Sequence, residues 1–320
     1  MNTRTVTISG IELFKRAVKV GFLAPVALFF LGELCATEAT ASSEANKSAA
    51  TANPLKPPAQ GDIPVAFLIS EGAVMIDFSG PWEVFQDVMI PGSMDHPFRL
   101  YTVAETANPI HASGGMKIVP DYTLANAPAP KIIVIPAQSE PSAAVLEWIR
   151  KSTKNTDVTM SVCTGVFVLA KTGLLSGKSA TTHHTAFRSL AAQFPDIHVL
   201  RGARFVEDGN LATAGGLSSG IDLALRVVER YYGHAIAEKT AYQMEYQGQG
   251  WMNPDSNQVY AREPVSTAEH PLCAVCGMDV DPATAPKTVF KGKTYYFCSP
   301  GDKETFDATP DKFVNADKRQ

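Results

Sequence analysis

From Ile63 onward, short apolar runs alternate with amphipathic stretches, and this alternation predicts an α/β protein: a layered parallel sheet with helices on both faces. Residues 65–69, 98–104, 131–135 and 157–162 are rich in β-branched and aromatic side chains and are bounded by polar or turn residues, which predicts strands. Residues 82–88, 143–152, 166–171, 185–194 and 221–232 carry helical spacing. Strands separated by helices pair in parallel through crossovers, so the outline is flavodoxin-like. Ligands in such sheets bind at the carboxyl ends of the strands.

The 320 residues, 45% of them apolar, suffice for one substantial core and a small second module. A net charge of -4, with Lys and Arg scattered, argues against a nucleic-acid partner, which a basic stripe would serve. Arg4, Lys15, Arg16 and Lys19 precede an apolar run over 20–31, and Ala39-Thr40-Ala41 offers a small-residue cleavage site. Residues 1–41 are therefore expected to be a signal peptide or an N-terminal anchor, with a periplasmic product favoured. Cys35 invites a lipoprotein reading, but Glu33 stands where small residues are expected. Residues 42–61, rich in Ala, Ser, Thr, Asn and Pro, are expected to form a flexible linker.

Within the α/β segment one cysteine stands alone. In Ser161-Val162-Cys163-Thr164-Gly165 an apolar run ends in a cysteine and a helical pattern follows. A strand-to-helix turn lifts a nucleophile toward solvent and aims helix N–H groups at it, which lowers a thiol pKa from about 8.5 toward neutrality. Cys163 is thus a candidate reactive thiolate; the other reading is a buried structural cysteine.

Three further segments accompany it: Met75-Ile76-Asp77-Phe78-Ser79-Gly80-Pro81-Trp82-Glu83-Val84-Phe85, Gly177-Lys178-Ser179-Ala180-Thr181-Thr182-His183, and Thr213-Ala214-Gly215-Gly216-Leu217-Ser218-Ser219-Gly220-Ile221-Asp222. Together these four ordered motifs resemble the ThiJ/PfpI superfamily, in the branch with isonitrile hydratase and the amidotransferase-like domains of AraC-type regulators. The resemblance covers about residues 62–247. It implies a cysteine nucleophile, the following threonine and an aspartate from the first loop, which fall on Cys163, Thr164 and Asp77. It also implies a homodimer, a small-molecule substrate and no cofactor for this domain. In chemical terms a thiolate adds to an electrophilic carbon, the Asp77 carboxyl relays the proton, and Thr164 donates to the sulfur or the developing anion. Without the resemblance, Asp77 reads as a cap of a helix starting near Pro81.

His183 is a site-lining candidate, since a neighbouring imidazole is the usual activator of a thiol. Gly215 and Gly216 lie where a later strand approaches the site, or else make an ordinary tight turn. Many relatives carry Pro-Gly-Gly before the elbow; this chain has Pro136-Ala137-Gln138. Ala137 and Gln138 keep their backbone N–H groups for an oxyanion hole, but a positive φ there would be strained and their side chains narrow the pocket. Trp82 and Phe85 belong either to a two-fold contact or, more simply, to the core.

Past Gly233 the periodicity decays, and residues 248–270 are expected to be a linker. Residues 271–315 then present Cys273-Ala274-Val275-Cys276-Gly277-Met278 and Tyr295-Tyr296-Phe297-Cys298-Ser299, ahead of Phe306 and Phe313. This constellation resembles the YHS domain, a small α+β metal-binding module akin to treble-clef-like modules. Two cysteines at a turn converge on one ion and Cys298 supplies a third thiolate. Many relatives have a fourth cysteine where this chain has Asp302. Three sulfurs suit Cu(I), while Asp302 or a histidine would complete a Zn(II) site. A disulfide among the three cysteines is the competing reading in an oxidising compartment.

The sequence therefore supports an exported hydratase- or hydrolase-type enzyme with a metal-binding appendage. The alternative is a non-catalytic periplasmic copper- or zinc-binding or redox-sensing protein on the same scaffold.

Overall fold

The computed structural model describes residues 54–262, 265–267 and 269–316. The expected leader (1–41), Cys35 and most of the expected linker (42–61) lie outside these residues. Among the described residues no helix is long and apolar enough to cross a membrane.

The strands in chain order are β1 (Ile63–Leu68), β2 (Phe98–Ala104), β3 (Ile110–His111), β4 (Lys117–Ile118), β5 (Tyr122–Thr123), β6 (Ile132–Ile135), β7 (Val158–Val162), β8 (Ser179–Ala180), β9 (His198–Val199), β10 (Phe205–Asp208) and β11 (Leu211–Ala214). Seven of them form one sheet in the order β10-β11-β7-β6-β1-β2-β5. Every neighbour pair in it is parallel except the β10–β11 hairpin. The helices interleaved with them are α1 (Met75–Gln86), α2 (Ala143–Thr153), α3 (Gly165–Lys171), α4 (Phe187–Gln193), α5 (Ser219–Tyr232) and α6 (His234–Gln243). One core gathers Phe67, Phe85, Met160 and Val162 with Leu223 and Val227 of α5; a second gathers Ile133 and Ile135 with Ile149 of α2 and Leu169 of α3. Both faces of the sheet are therefore covered by helices, and its strands read as continuous apolar runs because neither face meets water.

Several elements differ from the sequence expectation. Helix α1 begins at Met75, seven residues before the expected start, and carries Pro81 in its interior. Pro81 has no N–H for the Asp77 carbonyl. Gly80 beside it lets α1 approach α5, since a Cβ there would lie 2.9 Å from Ile221 Cγ1. Helix α6 was not expected past Gly233; it is mostly exposed, and only Ala237, Thr240 and Ala241 are buried. The β10–β11 hairpin was also missed, although Asp208-Gly209 is a recognised hairpin signal and Gly209 takes the positive φ such a turn needs. Phe85 is fully buried and Trp82 packs on Phe67 with ring centroids 4.8 Å apart, so both aromatics serve the core.

The register explains where the site forms. Ile135 pairs with Ser161 and Ala214 with Val162, so β6, β7 and β11 end nearly level. Their outgoing loops, at Ala137, Cys163 and Gly215, consequently lie side by side.

After the α/β layers, strands β12 (Lys287–Phe290) and β13 (Lys293–Tyr296) form a hairpin, followed by α7 (Pro300–Ala308) and α8 (Pro310–Ala316). Their core is Cys273, Val275, Phe297, Phe306 and Phe313, with Phe306 ringed by other aromatics. Ala192 of α4 is part of that same cluster, and Ser189 of α4 donates from Oγ to the Val275 carbonyl at 2.8 Å.

Gly165, the first residue of α3, tests the packing at the end of β7. A Cβ there would overlap the Ile135 carbonyl oxygen and lie 2.7 Å from that of Pro136. Neither oxygen belongs to a flexible side chain, so Gly165→Ala should cost at least the ~1–3 kcal/mol typical of an overpacked core. Chemical denaturation of the variant against wild type checks this.

Candidate functional site

Cys163 terminates β7 with φ 58°, the left-handed region that non-glycine residues seldom adopt. The cost of this conformation is on the order of 1–2 kcal/mol and is met by tertiary bonds on both sides of the residue. Its N–H donates to the Gly215 carbonyl at 2.9 Å, and its carbonyl accepts from Thr182 Oγ1 at 2.9 Å. The chain turns there and re-enters helix α3 at Gly165, with Thr164 at the N-cap position. This is a strained strand-to-helix elbow presenting a thiol.

Asp77 faces that thiol from the first turn of α1. Its side chain does not cap the helix; the N-cap residue is Val74, which makes no side-chain cap bond. Asp77 is instead completely buried, with Oδ2 accepting from the Ala137 N–H at 3.1 Å and the Cys163 thiol near enough to act on its titration. Oδ1 has no partner among the described residues. Burial raises the Asp77 pKa to about 6, against the lowering effect of the Ala137 and Cys163 bonds.

The thiol is not the acidic group that a helix terminus would make of it. Cys163 is only 8% exposed, and burial, followed by the Asp77 charge, pushes it up to about 11. The Thr164 and Leu217 backbone N–H groups and the Thr164 side chain pull in the opposite direction. The thiol, pushed up to about 11, keeps its proton at neutral pH, while the carboxyl near 6 is the group able to accept one, an arrangement suited to general-base use of Asp77.

The anion-stabilising donors also differ from expectation. The Ala137 N–H is spent on Asp77, while the Gln138 side chain is tied back to the Leu68 carbonyl through Nε2 at 3.1 Å and its backbone N–H takes no part in that bond. Neither residue has a positive φ, so the departure from Pro-Gly-Gly carries no strain. The N–H groups that lower the thiol are those of Thr164 and Leu217, and Leu217 itself sits at φ 51°. Sequence inspection missed Leu217 because its role comes from backbone direction; its position directly after Gly215-Gly216 was the available signal.

His183 stands behind Gly216, where a Cβ would overlap its Cδ2. Its Nδ1 is 2.8 Å from Thr185 Oγ1, and its ring lies beside His184, which in turn stacks on Tyr260. Burial, then the neighbouring His184, lowers its pKa. His183 thus lines the wall behind the Gly215–Leu217 turn; no bond joins it to the thiol among the described residues.

The second cluster is built by a turn and a helix start. Cys273 donates from N to the Met278 carbonyl at 2.7 Å, and Gly277, at φ 78°, donates to the Cys273 carbonyl at 2.8 Å. This knuckle sets Cys273 and Cys276 on one side. Cys298 follows β13, and Asp302 lies in the first turn of α7, whose N-cap Ser299 accepts from the Asp302 N–H at 3.1 Å. The donor atoms of Cys273, Cys276, Cys298 and Asp302 all lie within 4.8 Å of one another. Asp302 Oδ2 is 3.2 Å from Cys273 Sγ and 3.1 Å from Cys298 Sγ, while the Cys276 and Cys298 sulfurs are 3.5 Å apart. A tetrahedron with metal–sulfur bonds of about 2.3 Å has edges of about 3.8 Å, so this set fits a four-coordinate ion with little contraction or expansion. All four described cysteines are free thiols. Bonding to Cys276 lowers the Cys273 thiol to about 6 despite its burial, the Cys276 thiol is raised in return, and burial lifts Cys298 to about 11.

A layered α/β sheet with a cysteine elbow at its carboxyl edge and an acidic partner from the first helix defines a class of protein, and comparison with known proteins agrees. The DJ-1/PfpI family matches residues 64–230, and the chain belongs to it. A YHS domain matches residues 274–317. The chain is 30% identical over 187 residues to the isonitrile hydratase of Pseudomonas putida, covering 57% of this chain and 78% of that one. It is 29% identical over 150 residues to the HTH-type transcriptional regulator CdhR of Pseudomonas aeruginosa, covering 46% of this chain and 44% of the regulator. Among solved structures, a ThiJ/PfpI family protein from Pseudomonas syringae superposes with a TM-score of 0.53 at 28% identity, over 61% of this chain and 79% of that one.

The raised Asp77 pKa has a signed consequence for stability. Folded Asp77 titrates near 6 and an ordinary carboxyl near 3.8, so the folded state is penalised once the group ionises. That penalty is absent below about pH 4 and is fully present above about pH 6. Asp77→Asn should therefore be more stable than wild type at pH 7, by on the order of 2–3 kcal/mol, because moving a pKa by one pH unit is worth about 1.4 kcal/mol. The gap should close toward pH 4. Thermal melts of both proteins from pH 4 to pH 8 measure it.

Proposed function

We propose that the large domain is a cysteine-dependent enzyme of the hydratase or hydrolase type, acting on a small electrophilic carbon compound, with isonitriles as the first substrate class. The observation that carries this reading is the Cys163 thiol in its left-handed elbow beside the fully buried Asp77 carboxyl. Identity with the isonitrile hydratase over most of that protein supports the substrate class.

The chemistry balances with this chain's own groups. Asp77 takes the thiol proton as Cys163 sulfur bonds to the terminal carbon of R–N≡C, and the proton passes to that carbon, giving R–N=CH–S–Cys. Water adds to this thioimidate carbon, the carbon–sulfur bond breaks, and R–NH–CHO leaves with the thiol restored. The N–H groups of Thr164 and Leu217 stabilise the sulfur while it is anionic. A pKa near 6 lets Asp77 both accept and return the proton close to neutral pH.

The C-terminal module is proposed to bind one metal ion through Cys273, Cys276, Cys298 and Asp302. The carboxylate oxygen in the set favours Zn(II); Cu(I) would use the three sulfurs and leave Asp302 out. Bound there, the ion would lock the knuckle and α7 together, as structural metals do. Export to the periplasm, through residues 1–41, and a homodimeric state complete the proposal; N-terminal mass analysis of the secreted form and light scattering test them.

A second reading keeps the metal module and makes the large domain a non-catalytic sensor. The burial and high pKa of Cys163 favour it, as does the likeness to a transcriptional regulator. Turnover decides between the two. With an aliphatic isonitrile, wild type should release the formamide, and Cys163→Ser and Asp77→Asn should each lose at least about a hundredfold in kcat/KM, the lower range for removing a general base. Absence of formamide from wild type across a panel of isonitriles and activated amides would sink the enzyme reading.

Metal binding is tested separately. Native mass spectrometry after dialysis against Zn(II) should show one ion per chain, and Cys276→Ser should weaken retention by at least about tenfold. Asp302→Ala should weaken Zn(II) but spare Cu(I). Loss of both ions to the same extent would place Asp302 in the binding of either.

A further inference from the structure

The Cys163 elbow is anchored by the Gly215 carbonyl, which belongs to a turn that is not stable by itself. Leu217 has φ 51°, and the two residues before it are glycines that add no side-chain packing. The neighbours that hold this turn lead to one residue, Arg204, which immediately precedes β10. Its backbone carbonyl accepts from the Gly215 N–H at 2.9 Å, and the Gly215 carbonyl in turn accepts from the Cys163 N–H. Its guanidinium reaches the other end of the same turn, with Nη2 donating to Ser218 Oγ at 3.0 Å.

Arg204 is itself pinned. Its Nε donates to Asp222 Oδ2 at 2.6 Å, and the side chains are only 15% and 1% exposed. The buried Asp222 carboxylate also accepts from Tyr246 OH at 3.0 Å and the Trp251 N–H at 2.9 Å. Arg204 Nη1 donates to Asn257 Oδ1 at 3.2 Å, and the Arg204 N–H donates to the Pro254 carbonyl. The guanidinium therefore ties the catalytic-side turn, α5 and the 246–257 tail into one node. A planar fork with several fixed donors is the side chain suited to this; a lysine would make one of these bonds at a time.

We propose that Arg204 is a positioning residue for the Cys163 site, holding the 215–218 turn whose Gly215 carbonyl fixes the Cys163 N–H and with it the elbow that presents the thiol. The proposal rests on the reading of Cys163 as the functional thiol, but it concerns thiol acidity and needs no turnover. It also assigns the tail before the C-terminal module a role: Asn257 braces the guanidinium and Pro254 the backbone N–H of the residue that braces the turn.

The test is the pH dependence of Cys163 alkylation by iodoacetamide in the full chain, read at that peptide by mass spectrometry, together with thermal melts. The titratable groups around the sulfur are Asp77 from α1 and, behind Gly216, His183. Both are present in every variant, and Ser218→Ala and Arg204→Lys also keep the Arg204 charge, so a change in midpoint in those two reports the turn. Arg204→Met should raise the midpoint by about one pH unit, equivalent to about tenfold less thiolate at a given pH. Ser218→Ala, which leaves the Arg204–Asp222 pair intact, should raise it by less, and Arg204→Lys should fall between wild type and Arg204→Met. Should Arg204→Met fail to fold, because Asp222 is left buried without its cation, Ser218→Ala and Arg204→Lys decide. A lower melting temperature with wild-type midpoints in those two variants would make Arg204 purely structural and overturn the proposal. Missing formamide production by wild type would instead sink the enzyme reading, leaving this titration to be judged on its own midpoints.

Discussion

The left-handed turn at Cys163 is the constraint on which the site depends, because a non-glycine residue stays there only if its surroundings hold it. Three segments do so: Gly215 at the end of β11 takes its N–H, Thr182 takes its carbonyl, and Gly165 lets α3 begin against the β6 end. These bonds make the ends of three parallel strands mutually dependent. Relaxing any one of them would free the cysteine to adopt an ordinary extended backbone and swing the thiol away from Asp77.

Burial then sets the electrostatics, and it acts differently at the two cysteine sites. Around Cys163 it raises both the thiol and its carboxylate partner, so near neutral pH the pair keeps one proton, on sulfur, and the carboxyl is the group that ionises first. In the C-terminal module Cys273 is fully buried too, yet bonds from a second thiol and several backbone N–H groups lower it. A thiol poised to give up its proton only during attack suits covalent chemistry, whereas one already inclined to be a thiolate suits a metal.

The two modules are not independent beads. Helix α4 follows the His183–Ala186 segment of the large domain and also supplies Ser189 and Ala192 to the packing of the metal-knuckle module. The chain between them returns over the Arg204–Asp222 pair before it leaves, and Tyr260 within it stacks on His184. The tail that leads to the second module thus packs against the Arg204 node beside the Cys163 turn, and α4 of the large domain packs against that module.

Much of this was legible in the sequence. Local spacing located β2, α2 and α3, and it placed Cys163 at a strand end and Cys273, Cys276 and Cys298 in one cluster, because strand texture, turns and cysteine spacing are short-range signals; Asp302 entered only through the resemblance to the YHS domain, with a histidine as the alternative. Other features depend on groups far apart in the chain. Asp77 read as a helix cap or a loop carboxylate until the Ala137 N–H, sixty residues away, took its oxygen. The Leu217 N–H, the Arg204 clamp and the direction of the Cys163 pKa shift follow from backbone orientation and burial, which no pattern of residue types encodes. The sequence alone determined the chemical groups and the order of the layers. Which of those groups meet, and which of them hold their protons, was decided only when the sheet brought three strand ends level and excluded water from the space between them.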